Sequence, residues 1–280
     1  MPADVSPLHR PPRRPHVWAV FALLAHAGVA AAWWRHGWPT GLMSLLATHL
    51  VFVWGSLRPG SRLFSPVLTR LPTQQRMVWL TIDDGPSDDT RPMLDLLDAH
   101  GARATFFLVG ERAARRPELV GEIVRRGHGI GNHSARHRQA WFWAFGPRAM
   151  QHEVAHAQAV LTQLAGVPPR WFRAVVGMAN PFVAAPLKTL GLARVAWSAR
   201  GFDAVSADPQ RVLARIERDL SPGAIVLLHE GATHASNVAT LALLLQRLDA
   251  LGYRSVLPEQ LEAGRTVALE AEPATGRQTV

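Results

Sequence analysis

The sequence predicts an α/β fold, a deformed, incomplete (β/α) barrel of about seven parallel strands, preceded by N-terminal hydrophobic helices. Three observations lead there. From about Arg76 onward, short strand-like apolar runs alternate with segments of helical length, the pattern of a parallel sheet covered by helices. Close to seven such repeats fit in about 190 residues, fewer than the eight of a complete barrel. Several runs end on charged or imidazole side chains, at the strand ends where barrel folds carry their chemistry.

Composition bounds the rest. The 280 residues are 48% hydrophobic and 18% charged, with a mean hydropathy of +0.03, which excludes a largely disordered chain. There is no cysteine, so disulfides, thiolate metal sites and cysteine nucleophiles are excluded and any metal must be held by His, Asp or Glu. The net charge of +9 is nearly all arginine, with Lys188 the only lysine. Because the arginines are scattered, the excess reads first as compositional bias and second as attraction to an acidic membrane surface. A nucleic-acid partner is not expected.

Residues 1–16, with Arg10, Arg13, Arg14 and several prolines, read as a polar leader. Val17 to Trp34 and Leu42 to Leu57 are two apolar runs separated by the break Arg35 to Gly41, with tryptophans at 18, 33, 34, 38 and 54 near their ends. Each is at the short limit of a membrane span, and the flanking tryptophans suit a membrane interface. Residues 17–57 therefore read as a membrane-anchor hairpin. A cleaved signal peptide and a pair of buried helices are the rival readings. Two full spans would leave the main domain in the cytoplasm, by the excess of arginines outside the break, whereas one span would export it. The expected location is a bacterial-type inner membrane, the side of the domain left open.

Residues 58–75 form a linker, and 76–262 the main domain. Strands are expected at Met77 to Ile82, Ala104 to Val109, near Gly129, and at Arg170 to Phe172, Ala193 to Ser198, Ala224 to Leu228 and Tyr253 to Leu257. Helices are expected at Arg91 to Ala99, around Pro117 to Arg126 and at Pro147 to Leu164, stopped by Gly101 and Gly166 where those follow. Asp208 as N-cap before Pro209 starts another. Residues 263–280 read as a flexible tail.

Five groups of residues are candidates for chemistry. Asp83 and Asp84, in Thr81-Ile82-Asp83-Asp84-Gly85-Pro86, end an apolar strand; the turn can bring both carboxylates to one rim, or serve only as an Asx-type cap. His133 and His137, in Asn132-His133-Ser134-Ala135-Arg136-His137, share one face if that segment is helical, a geometry for gripping a metal. His152 and His156 have the same spacing but lack a strand end and a carboxylate, and read as surface or core. His229 ends the run Ile225 to Leu228. Arg173 and Asp203 each follow a strand.

In this order, the groups resemble the polysaccharide deacetylases, the NodB-homology domain of carbohydrate esterase family four, over roughly residues 75 to 260. The family's TFDDGP-type run is matched by TIDDGP, its H(S/T)xxH by HSARH, its FRPPYG-type run by Phe172 to Gly177, its acid before tryptophan by Asp203 before Ala204, and its Leu-x-His strand end by Leu227-Leu228-His229. The resemblance implies a metal-dependent hydrolase that removes N-acetyl groups from amino sugars of a glycan. It implies that Asp84, His133 and His137 hold a divalent metal, with zinc expected, that Asp83 is the general base and that His229 is the general acid. It further implies that Arg173 fixes Asp83, that Asp203 orients His229, that Leu227 lines the acetyl pocket and that a backbone N–H near Val176 completes an oxyanion site. The chain departs from the pattern where Ala174-Val175-Val176 replaces Pro-Pro-Tyr, where the fourth motif lacks its tryptophan, and where Arg200 stands at a position that often holds an acid. Trp141, Phe142 and Trp143 are candidates either for stacking on a sugar or for packing beneath the loop. The expected partners are an N-acetylated glycan or glycolipid and the membrane; deacylation of a lipid-linked sugar precursor and carbohydrate binding without turnover are the alternatives.

Overall fold

The computed structural model describes residues 8–261; the tail expected at 263–280 and the first seven residues of the leader lie outside them. Alternation along the strands sets up the core. In β1 (Met77–Gly85), Val78, Leu80 and Ile82 point outward to the helices, while Trp79, Thr81 and Asp83 point into the barrel. β2 (Ala104–Leu108) does likewise, with Phe106 outward and Phe107 inward. Both faces are buried, which is why these runs are almost continuously apolar. β3 (Gly129–Asn132), β4 (Trp171–Phe172), β5 (Ala193–Arg194), β6 (Ala199–Arg200) and β7 (Ile225–His229) complete a parallel sheet in the order β5-β4-β3-β2-β1-β7-β6, with β8 (Arg254–Ser255) beside the start of β1.

The stretch 193–198 does not form the single strand expected. Ala193 and Arg194 pair with β4 at one edge of the sheet, and Ala199 and Arg200 pair with β7 at the other. Seven strands laid flat would span roughly 29 Å at about 4.8 Å per gap. The step from Arg194 to Ala199 reaches at most about 18 Å fully extended. The sheet must curl, and the sequence between its edges forces it to.

The helices lie outside. α2 (Thr90–Ala99), α3 (Gly110–Arg115), α4 (Pro117–Arg125), α5 (Pro147–Ala165), α6 (Ala184–Thr189), α7 (Pro209–Asp219) and α8 (Asn237–Ala250) follow the strands. Asp208 caps α7 as expected, its carboxylate accepting from the Gln210 and Arg211 N–H groups. Inside the barrel, Leu8, Leu71, Trp79, Phe107, Trp171 and Ile225 form an apolar floor. Leu8, from the expected leader, is thus part of the domain's core.

The apolar N-terminal element α1 (Val17–Leu57) is long and apolar enough to cross a membrane. It is not one rod. At Gly37 the backbone takes φ 81, ψ 177, a conformation open essentially to glycine alone. The chain reverses there: the rings of His26 and His49 are 5.5 Å apart, where a straight helix would separate them by about 35 Å. Trp33 lies so close over Gly41 that a side chain at 41 would collide with its indole. Pro39 falls in the first turn after the break, where its missing N–H is harmless. The break expected over Arg35 to Gly41 is confined to Gly37, and the arms 17–36 and 38–57 are antiparallel.

A short bifunctional thiol reagent should crosslink the otherwise cysteine-free double variant His26→Cys/His49→Cys, read as a mobility shift after tryptic cleavage. Adding Gly37→Val should abolish that product; an undiminished yield would contradict the reversal at Gly37.

Candidate active site

The C-terminal rim of the barrel gathers the candidates. Asp83 is in phase with the inward residues of β1. Asp84 would point away, but the β1–β2 register shifts between Asp83 and Gly85, and Asp84 takes the left-handed φ of 74. This bulge swings the second carboxylate onto the same rim. Gly85 is required there, because any side chain would occupy the space of the Glu230 carboxylate.

His133 and His137 do not lie on a helix. They flank a loop turn in which Ser134 and His137 have positive φ. The ring centroids are nonetheless 5.0 Å apart. Nε2 of His133 and Nε2 of His137 lie 3.4 and 2.9 Å from Asp84 Oδ1. Those distances bracket the roughly 3.3 Å between ligands of a tetrahedral ion with bonds of about 2.0–2.1 Å. Asp84 Oδ1 is buried without a hydrogen-bond partner, an atom that a cation would satisfy. Burial opposes its ionisation, but the two imidazoles crowded against it hold the carboxyl below the ordinary carboxylate range. His133 is aimed by a bond between its Nδ1 and the carbonyl of Arg173 at 2.9 Å, the outer contact that fixes a ligand histidine.

Asp83 is buried, 3.7 Å from His133 Nε2, and accepts from Arg173 Nη1 at 2.7 Å. Arg173 is wholly buried and also donates to Thr81 Oγ1 and the Ala196 carbonyl. Burial lowers its pKa, and Asp83 counters that shift. His229 pairs in register with Asp83 across β7 and β1. Its Nδ1 is 2.9 Å from Asp203 Oδ1, and its backbone N–H donates to the other oxygen. Burial favours neutral His229, but Asp203, with help from Asp83 and Asp84, prevails and raises its pKa to about 9. Leu227 is buried in β7, and Val176 is half-exposed, in the left-handed conformation at φ 54, ψ 16. For a β-branched residue that conformation costs about 1–3 kcal/mol.

Other residues escaped the sequence reading. Glu153, on α5, is buried and accepts from the N–H groups of Ala135 and Arg136 and from the Arg136 guanidinium, pinning the HSARH loop. Asn132 holds the same loop from below through Ser134 N–H. Glu230 accepts from Ser87 and Thr90, anchoring the turn after Asp84; burial, against those bonds, pushes its carboxyl up to about 7. Asn237 and His234 brace Asp203. Only the partner's position in space marks any of these, and no local motif does. His152 and His156 stack on the exposed side of α5, away from these residues. The aromatic trio divides: Phe142 is buried on Phe172, while Trp141 and Trp143 are exposed.

Comparison with known proteins fits this arrangement. Residues 70–195 match the family model described as polysaccharide deacetylase. A peptidoglycan-N-acetylglucosamine deacetylase of Bacillus cereus is 32% identical over 199 residues, covering 70% of this chain and 92% of the relative. The chain belongs to the polysaccharide deacetylase family. Membership makes it a hydrolase of the sugar N-deacetylase class. A chitooligosaccharide deacetylase of Bradyrhizobium sp. is 36% identical over 158 residues, 56% of this chain and 71% of that one. Among solved structures, the peptidoglycan N-acetylglucosamine deacetylase Bc1960, bound to an N-hydroxybenzamide, superposes with a TM-score of 0.63 at 29% identity, covering 69% of this chain and 91% of its own.

Glu153→Ala leaves the buried Ala135 N–H, the part-buried Arg136 N–H and the Arg136 guanidinium without this acceptor. It should destabilise the domain by about 1–3 kcal/mol in denaturant unfolding, with Glu153→Gln intermediate; an unchanged midpoint would show that the loop is held otherwise.

Proposed function

We propose that the chain removes N-acetyl groups from amino sugars of a glycan by a metal-assisted attack of water. One observation carries this reading: Asp84, His133 and His137 converge at one rim, with Asp83 and His229 level with each other beside them. Two imidazoles and a carboxylate would hold a divalent cation, and zinc suits that donor set. Bound there, the cation would polarise the acetamide carbonyl and acidify water.

The remaining work falls to the chain's own side chains. Asp83 accepts the proton of the attacking water as general base, oriented by Arg173. His229, whose Nδ1 is engaged by Asp203, has Nε2 left to protonate the departing amine. Leu227 lines the pocket for the acetyl methyl. The backbone at Val176, locked in its left-handed turn, presents an N–H to the developing oxyanion. Binding without turnover would require neither a paired base nor a paired acid. The peptidoglycan and chitooligosaccharide named for the relatives support an N-acetylglucosamine-containing glycan as substrate.

The hairpin α1 is proposed to anchor the enzyme in a membrane. Each arm of about 20 residues measures about 30 Å, the depth of the hydrocarbon core, and its side chains are mostly unburied by the domain. A hairpin leaves residues 16 and 58 on one side, together with Arg10, Arg13, Arg14, Arg58, Arg62 and Arg70, against Arg35 near its tip. The positive-inside rule then favours the cytoplasmic side. That supports a second reading, deacylation of a lipid-linked amino sugar.

Acetate release should occur from N-acetylglucosamine oligosaccharides, stop with chelator and return with Zn²⁺; Asp83→Asn should lower kcat by about 10²–10⁴-fold. Chelator-resistant release, or full activity of that variant, would overturn the mechanism, and preference for a polyprenyl-linked sugar would favour the second reading. The general acid must carry its proton, so kcat/KM should fall as pH rises through about 9. Asp203→Asn removes the interaction that raises the pKa and should move this alkaline limb downward in a pH–rate profile.

A further inference from the structure

Outside the hairpin, the described residues leave six large apolar side chains exposed: Trp141, Trp143, Val167, Val176, Phe202 and Val205. Val167 lies just past α5, at the end of the barrel where β4 begins. The other five lie on the loops after β3, β4 and β6, around the mouth of the candidate site. Contacts between these loops join them into an arc. Asn180 donates to the carbonyls of Trp143 and Phe145, tying the first loop to the second. Trp197 packs on Gly177 of the second loop, and the Arg200 guanidinium bridges from Trp197 to the Phe202 ring, 3.8 Å from the ring centre.

The hairpin is rooted in that same arc. The Ala179 N–H donates to the Ser56 carbonyl at 3.0 Å, and Pro59 packs on Gly177. Trp18 meets Phe182 edge-on, and Trp18 and Phe52 join Phe142, Phe145, Phe172 and Val175 in one apolar cluster. The base of the hairpin and the mouth of the site are therefore parts of one packed unit. We propose that this rim of the barrel rests on the surface of the phospholipid bilayer that the hairpin enters, so that the site faces amino sugars attached to that surface. The proposal rests on the membrane reading of α1.

The chemistry of the arc fits a headgroup layer. Tryptophans pair an apolar body with an N–H donor and collect at membrane interfaces. Arg58 and Arg138 are exposed on the same rim and pair with no carboxylate among the described residues, leaving their charges for acidic lipid. A platform for stacking sugars would account for Trp141 and Trp143, but gives no role to Val176 and Val205. Exposed apolar side chains gathered on one rim in this way suit an interaction face.

The chain's lack of cysteine allows a direct test. The full chain, reconstituted in phosphatidylethanolamine/phosphatidylglycerol vesicles, would carry one environment-sensitive fluorophore on Trp141→Cys, Val205→Cys, Leu46→Cys in the hairpin, or Gln75→Cys at the opposite end of the barrel. Labels at 141, 205 and 46 should shift to the blue and lose emission to nitroxide lipids, while the label at 75 should do neither and should lose emission to aqueous iodide. Lipid quenching at 46 with 141 and 205 behaving like 75 would overturn the rim contact and leave the anchor standing. No lipid quenching at 46 would overturn the anchor, and the rim proposal with it.

Discussion

The site depends on one buried cation, the guanidinium of Arg173. It sits on the Phe107 ring, its central carbon 4.3 Å from the ring centre, above the apolar floor of the barrel. From there it reaches Thr81 and Asp83 on β1 and the carbonyl of Ala196 between β5 and β6, while its own carbonyl orients His133. An arginine stripped of water is tolerated only where a carboxylate and further acceptors surround it. Satisfying Arg173 therefore fixes the geometry of Asp83 and of His133 together. In β1, Val78, Leu80 and Ile82 hold the helices on, while Thr81 and Asp83 on the other face build this polar stack above Trp79.

The parts legible in the sequence were those with a local physical signature. Strand runs at Met77 and Ala104, the Asp208 cap and the strand-end positions of Asp83, Asp84, Arg173, Asp203 and His229 all follow from periodicity or from turn chemistry. Local pattern and tertiary structure diverge in two places. Four-residue spacing brings His133 and His137 together on a helix, but Asn132 and Glu153 capture the loop's N–H groups and hold it in a turn that brings them together by another route. The apolar run 193–198 had strand character throughout, yet it crosses from one edge of the sheet to the other: Ala193 and Arg194 pair with β4, Val195 bridges to Leu68, and the ladder with β7 begins only at Ala199. Glu153, Glu230 and Asn237 were invisible, since each acts on a segment that is distant or structurally separate.

The aromatic residues after HSARH show the same limit at finer grain. Trp141, Phe142 and Trp143 are equally apolar in sequence, and the single helical turn at Phe142–Ala144 decides which is buried. At the N-terminus the deciding residue is Gly37. Apolar runs on both sides say that two helices exist, and one glycine in a conformation closed to other residues says that they double back.

The passage from β5 to β6 acts as a strap across the open side of the sheet. Because it is so short, the strands cannot splay, and the spacing between the Arg173 and His229 sides of the mouth is set by covalent chain as well as by packing. Variation in what this scaffold accepts is thereby pushed outward to the longer loops above the strands, where residues can be exchanged or added without loosening the girdle beneath.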